Sequence, residues 1–308
     1  MSPDVRIHTY TEPPAYLPTL LTAHLPHSLP LLRRLQFTRF PGGITPHARI
    51  LVAARSAPDL LLAEPCSSPF AAAYVDLSRG PETQVWVYSS VEHCAAAEDP
   101  GAVGCATALL REVKRLRADE AGAGARGPDD HHDTVMLGTL SERLRVALEE
   151  GAGLVFPYTE VYDKWLFRVG ELPEVDDADV AERLGEMGKK GWRWDRARRE
   201  DIPFMLSRTH IPRKERTVKL LPSTAIYLEN GSPIAWSFLG PDSSLSSLHC
   251  EKTYRGKGLA KAVAVKLLRD HLKDYGDEEY GWADVAPDNP PSQGVCKSLG
   301  GKIGWQVS

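Results

Sequence analysis

The chain has 308 residues, 42% of them hydrophobic, which can bury one large core or two ordinary ones, so two halves of about 150 residues are the starting expectation. Its 37 Lys and Arg against 41 Asp and Glu leave a net charge of -4, which supplies no chain-wide basic field and argues against nucleic acid as the main partner. Five cysteines, odd in number, widely spaced and without a CxxC pair, argue against a disulfide framework or a structural zinc site and fit a reducing compartment.

The first thirty residues carry Asp4, Glu12 and several prolines where a signal peptide would have a basic start and an apolar core, so a cytoplasmic location is expected. Leu17 to Leu32 is broken by Pro18, Pro26 and Pro30 and falls short of the roughly 20 apolar residues of a membrane span; it predicts two short helices around a proline break. Ala48 to Ala54 and Phe70 to Leu77 read as buried strands, and Gln84 to Ser89 alternates like a half-buried one. Gly101 to Arg117 has helical spacing, and Ala118 to Asp133 is expected to be a mobile loop. Helix-like and strand-like stretches (Leu137 to Leu148, Gly153 to Tyr158, Lys164 to Val169) follow, so the acidic, proline-containing Gly170 to Asp179 is the predicted boundary between domains 1–170 and 171–308.

A short helix then leads to a strand at Trp192 to Ala197. Helices are expected at Arg199 to Thr209 and Arg213 to Leu221, and a strand at Ala225 to Leu228. The Asn230-Gly231 turn returns the chain into Ile234 to Leu239. After a strand at Leu245 to Cys250, Tyr254 to Ala260 opens a helix with Leu259, Val263, Leu267 and Leu268 on one stripe. Trp282 to Val285, Ser292 to Leu299 and Lys302 to Val307 complete a strand, helix and strand.

A strand that ends in a Gly-rich basic turn and opens a helix offers unpaired N–H groups and the positive end of a helix dipole to one spot, where anions bind. Gly256 and Gly258 let phosphate oxygens reach the main chain, and Arg255 and Lys257 add charge, so a pyrophosphate is the expected ligand. The P-loop pattern is absent, and the Rossmann pattern fails at Lys261, where its third glycine should stand.

Arg255-Gly256-Lys257-Gly258-Leu259-Ala260 resembles the R/Q-x-x-G-x-G/A signature of the GNAT superfamily of N-acyltransferases. Asn289, Ser292, Lys297, Leu299 and Gly300 fall where that superfamily often has N-x-x-S/A and a K-x-G-F-like helix end. Leu221-Pro222-Ser223, the hairpin into Ala235-Trp236-Ser237 and the spacing to Tyr254-Arg255 are similar to the glycine N-acyltransferases, as is Leu25-Pro26-His27-Ser28-Leu29. The resemblance implies an α+β GNAT fold, a mixed, mostly antiparallel central sheet flanked by helices, with two GNAT-like halves in tandem. The N-terminal half, without a Gly-rich turn, would be degenerate.

It further implies an acyl-CoA co-substrate, acetyl-CoA first, held by Arg255 to Ala260 with Asn289 and Lys297, and no metal. Backbone within Leu248, His249 and Cys250 would polarise the thioester. The glutamate that many of these enzymes place eleven residues before the signature arginine is Ser244 here. Asp242 and His249 stand nearby, and a water on Ser244 is a third route for the proton. For each, an ordinary loop or strand-surface role is the leading reading. Cys296 stands where the usual tyrosine acid would be; a buried packing residue fits it at least as well.

The basic stretch Lys189 to Lys219 reads first as a solvated surface. His131, His132 and Asp133 read as loop residues before metal ligands. The expected function is acyl transfer from acyl-CoA to the amine of a small molecule, with no membrane partner and with glycine as the acceptor the resemblance suggests. A noncatalytic coenzyme A-binding scaffold and a peptide or protein N-acetyltransferase are the alternatives.

Overall fold

A computed structural model describes residues 5–65, 67–93, 100–122, 134–209 and 211–308. They form two compact units, Met1–Tyr162 with Trp305–Ser308, and Asp163–Gly304. Among the described residues no helix is long and apolar enough to cross a membrane.

The first unit runs β1 (Arg6–Tyr10), α1 (Tyr16–Thr22), α2 (Leu29–Phe37), β2 (Arg49–Ala54), α3 (Pro58–Ala63), β3 (Phe70–Val75), β4 (Val85–Ser89), α4 (Pro100–Gly122), β5 (Leu137–Gly138) and α5 (Glu142–Ala152). Its sheet has the order β1-β2-β3-β4-β5, antiparallel except for β4 and β5. Alternate side chains build two cores. Leu51, Ala73, Val75, Val85 and Val87 pack with Leu109 and Val113 of α4 and Leu144 and Leu148 of α5. Ile50, Val52, Phe70, Tyr74, Trp86 and Tyr88 pack with leucines of α1, α2 and α3. Helices therefore cover both faces, and β4, expected to be half-buried, is buried at every residue.

At the α1–α2 junction, His24 is fully buried. Its Nε2 lies 2.9 Å from the Pro65 carbonyl and its Nδ1 2.9 Å from the Tyr88 hydroxyl. Helix α4 continues five residues past Arg117, so the expected loop does not begin at Ala118; residues 123–133, with His131, His132 and Asp133, lie outside the described residues. Gly153 to Tyr158 forms neither helix nor strand. Ser308 exchanges two backbone hydrogen bonds of 2.8 Å with Leu140, and Val307 bridges Ser141, which is why the last residues count with this unit.

The second unit runs β6 (Tyr162–Arg168), α6 (Asp177–Leu184), α7 (Glu186–Lys190), β7 (Trp192–Asp195), α8 (Ile202–Leu206), α9 (Glu215–Val218), β8 (Ser223–Leu228), β9 (Pro233–Leu239), β10 (Leu245–Cys250), α10 (Leu259–His271), β11 (Tyr280–Val285), α11 (Pro290–Ser298) and β12 (Lys302–Val307). Strands β10-β9-β8-β7 form an antiparallel sheet, and β11-β6-β12 a second sheet. The stripe of α10 is buried as its spacing predicts, with Leu259, Val263, Leu267 and Leu268 each at most 1% exposed. Helices α8 and α9 are single turns, much shorter than the sequence suggests; Pro203 falls in the first turn of α8, and Arg199–Asp201 before it forms a separate 3-10 turn.

Composition places β6 in the first half, ahead of a boundary at 170. In the structure it pairs along its length with β11, Arg168 opposite Tyr280 through Asp163 opposite Val285, and so counts with the second unit. The acidic segment after it is held there too: Leu172 is buried, and Arg269 Nη2 donates to its carbonyl at 2.6 Å.

Candidate active site

Two strands of the second unit part company at the site. Along β9 and β10 the register runs Leu239 to Leu245 and Phe238 to Ser246, then resumes at Trp236 to His249. Ser247 and Leu248 therefore face the single residue Ser237, a β-bulge, with Ser247 at φ 50°. A bulge takes the extra residue out of the ladder and bends the strand, re-aiming its backbone.

Between β10 and β11, among the described residues, one parallel bridge joins Ser244 to Trp282, and no ladder continues beyond it. That apex is firmly made. Trp282 Nε1 donates to the Asp242 carbonyl at 3.1 Å, the Tyr275 hydroxyl donates to the Gly240 carbonyl at 2.7 Å, and the Ser244 hydroxyl donates to Asp242 Oδ1 at 2.6 Å.

The far end of β10 runs into the turn. Arg255 Nε donates to the Cys250 carbonyl at 2.9 Å, fixing the first residue of the motif against the strand end. Gly256 and Gly258 have φ of 76° and 75°, left-handed values that side chains disfavour, and Gly258 is the N-cap of α10. No side chain caps this helix. The first three N–H groups of its 13 residues, at Leu259, Ala260 and Lys261, have no carbonyl one turn back, and they lie beside the exposed Arg255 and Lys257. A phosphate group fits this turn by chemistry, since uncapped N–H groups and cations are its natural partners.

Strand alternation sorts the remaining groups by face. A Cβ on Gly281 would meet Leu268 of α10, so Trp282 and Asp284, at the alternate positions, point away from α10. Cys250 packs with Leu259 and Val263 of α10, so His249 also points away. On that shared face His249 stacks on Trp236, ring centroids 4.6 Å apart, and Phe204 of α8 meets Trp236 at 5.8 Å. His249 Nε2 lies 3.5 Å from Glu251 Oε1, which accepts from Arg208 Nε at 2.9 Å.

Burial, helped by the charges of Arg255 and Arg208 and opposed by Glu251, holds His249 below the usual imidazole range, which makes it neutral at pH 7. Across the opening, Lys164 Nζ donates to Asp284 Oδ1 at 2.7 Å and sits 3.6 Å from the Trp282 ring centroid. Lys164 is 1% exposed and Asp284 21%. Sequence reasoning missed this pair, because nothing local links two residues 120 positions apart.

The other residues singled out from the sequence scatter. Ser244 lies at the apex with its hydroxyl proton committed to Asp242, and five residues of strand, roughly 16 Å, separate it from His249. Asn289 caps α11, its Oδ1 accepting from Ser292 N at 3.2 Å, so the N-x-x-S spacing has a structural explanation; Lys297 is exposed in the last turn of that helix. Cys296 is 3% exposed, and burial pushes its thiol up to about 12. It packs on the inner side of α11 and is poorly placed to give up a proton.

The parted, bulged strands, the glycine turn and the helix-flanked sheets define a GNAT-fold N-acyltransferase. The profile described as "Acyl-CoA N-acyltransferase verG N-terminal domain" matches residues 4–173, more than half of the chain, and that of the "Acetyltransferase (GNAT) family" matches 193–300. The chain belongs to these acyl-CoA N-acyltransferases, with two GNAT-like halves in tandem, and is an acyl-CoA-dependent N-acyltransferase.

Its fold is similar to the X-ray structure of a Drosophila protein, with TM-score 0.61 and 14% identity over 94% of this chain and 92% of that one. It is also similar to a tandem GNAT protein from the clavulanic acid biosynthesis pathway, with TM-score 0.51 and 11% identity over 99% of this chain and 96% of that one. No curated protein matches the sequence.

Proposed function

We propose that the protein moves an acyl group, acetyl first among them, from acyl-CoA to the amine of a small molecule, by direct attack while both substrates are bound. The observation that carries this is the continuity of one short segment. The bulge at Ser247, the end of β10 and the uncapped turn Arg255 to Ala260 follow one another without interruption.

In this reading the turn, with Arg255, Gly256, Lys257, Gly258, Leu259 and Ala260, holds the coenzyme's diphosphate. The backbone at Leu248, His249 and Cys250 faces the thioester, where an N–H re-aimed by the bulge would stabilise the developing oxyanion. Holding thioester and amine together lowers the barrier by making the attack effectively unimolecular. His249, neutral and on the same face as Phe204 and Trp236, is the first candidate to take the ammonium proton; Ser244 is held at the apex by Asp242. Cys296 is assigned to packing, and Asn289 and Lys297 are left as secondary contacts of α11.

The test is coenzyme A release, followed with a thiol reagent, when the protein is offered acetyl-, benzoyl- and longer acyl-CoA with amino acids, small amines or peptides. Release that depends on a small amine is expected. Release with peptides alone would overturn the small-molecule reading in favour of a peptide N-acetyltransferase.

A further inference from the structure

Helix α6 belongs to the stretch 174–192, which neither family profile covers. Its Asp176 caps it through the Ala178 N–H, and Trp194 Nε1 donates to Asp177 at 2.7 Å. Val180 and Leu184, four apart and so on one face, pack in the same cluster as Leu259, Ala262 and Val263 at the start of α10. This packing pins α6 beside the glycine turn and leaves Glu182 and Arg183 of its last turn exposed, Arg183 at the edge over the glycine turn.

The Arg183 side chain lies over Gly258: a Cβ built on that glycine would collide with Nη1, and Nη1 donates to the Lys257 carbonyl at 3.4 Å. Among the described residues, Arg183, Arg255, Lys257 and Lys261 have no acidic partner. Four cations are thus gathered at the positive end of a helix dipole, an arrangement that costs free energy until an anion lies between them. A guanidinium presents a planar fork that matches two oxygens of a phosphate and makes stronger hydrogen bonds there than to a neutral carbonyl.

We propose that Arg183 is a coenzyme-binding residue, exchanging its contact with the Lys257 carbonyl for the 5′-diphosphate of acyl-CoA. Gly258 is the helix N-cap, so the group above it meets whatever the first N–H groups of α10 hold, which favours the diphosphate over the 3′-phosphate. The inference rests on the assignment of Arg255 to Ala260 to the coenzyme.

The experiment measures calorimetric affinity of the full chain for coenzyme A and dephospho-coenzyme A, and kcat/KM with acetyl-pantetheine, for wild type, Arg183→Ala, Arg183→Lys and Arg255→Glu. Arg183→Ala is expected to weaken both coenzymes by the same factor, about tenfold or more, with acetyl-pantetheine turnover unchanged and Arg183→Lys in between. A loss confined to coenzyme A would move the contact to the 3′-phosphate and overturn the diphosphate assignment. An equal loss with acetyl-pantetheine would mean structural damage and overturn it as well. Unchanged affinity in Arg183→Ala while Arg255→Glu abolishes binding would sink Arg183 alone. Unchanged affinity in both variants would sink the turn assignment and, with it, this inference.

Discussion

The two units use the same sequence of parts, an antiparallel hairpin, a strand and a helix, and reach opposite results. In the first, β3 and β4 pair without a break from Ala71–Ser89 to Val75–Val85, and β4 continues into a parallel ladder with β5 at Val85–Leu137 and Trp86–Gly138. In the second, β9 and β10 slip at Ser247, and β10 touches β11 at one bridge. The residues ahead of the helices differ in kind as well: Cys94-Ala95-Ala96-Ala97-Glu98-Asp99 precedes α4, with two acids and no glycine, where Arg255-Gly256-Lys257-Gly258 precedes α10. One extra residue in a strand, two glycines and a change of charge sign separate a closed sheet from a candidate site, which is how a shared fold can carry different functions.

The comparison breaks most simply at the turn. Gly258→Trp displaces Arg183 and fills the space above the helix N-terminus, and Arg255→Glu reverses a charge of the turn. Each is expected to weaken coenzyme A by at least a hundredfold, roughly 3 kcal/mol, in calorimetry. Retained affinity in both would remove the contrast between the two units.

The next effect centres on a buried histidine of the first unit. Burial, with the charge of His93 second, lowers His24 to about 4 from its ordinary 6.5. The unfolded chain therefore takes up this proton first as pH falls. Stability should be flat above pH 6.5 and fall between 6.5 and 4, by about 2 kcal/mol at pH 5. Chemical denaturation at pH 7.5 and 5 checks this, and His24→Gln should shrink that limb, leaving the part due to His27 and His249, which burial also lowers. An unchanged slope would mean that His24 is not the group responsible.

The smallest effect sharpens the contrast between the strands. At φ 50°, Ser247→Val should lower stability by roughly 1–3 kcal/mol, whereas Ser247→Gly should be neutral or stabilising. The ratio of the two melting shifts reports whether the bulge persists in solution; equal shifts would argue that it does not.

What the sequence made legible was local. The Asn230-Gly231 hairpin, β10, the turn into α10 and β12 follow from glycine positions and apolar spacing within a few residues. The rest depends on distant pairing. The alternation of Gln84 to Ser89 could not reveal that helices close over both faces of β4, and the composition of Gly170 to Asp179 could not reveal that Arg269 binds it. The bulge was invisible because Ser247 takes a left-handed φ without a glycine to mark it. His249 was legible as a candidate, but its stacking on Trp236 and the Lys164–Asp284 pair required the fold.

Strand β6 carries a consequence for how the protein is made. Trp165, Leu166 and Phe167 leave the ribosome more than a hundred residues before β11, the strand they pair with. At about 5–20 residues per second, that is a wait on the order of ten seconds with an apolar strand unpaired. A fragment starting at residue 171 would meet the complementary difficulty, since it would lack the middle strand between β11 and β12 and expose both as aggregation-prone edges. The second unit must therefore be expressed from before Tyr162 if it is to fold by itself.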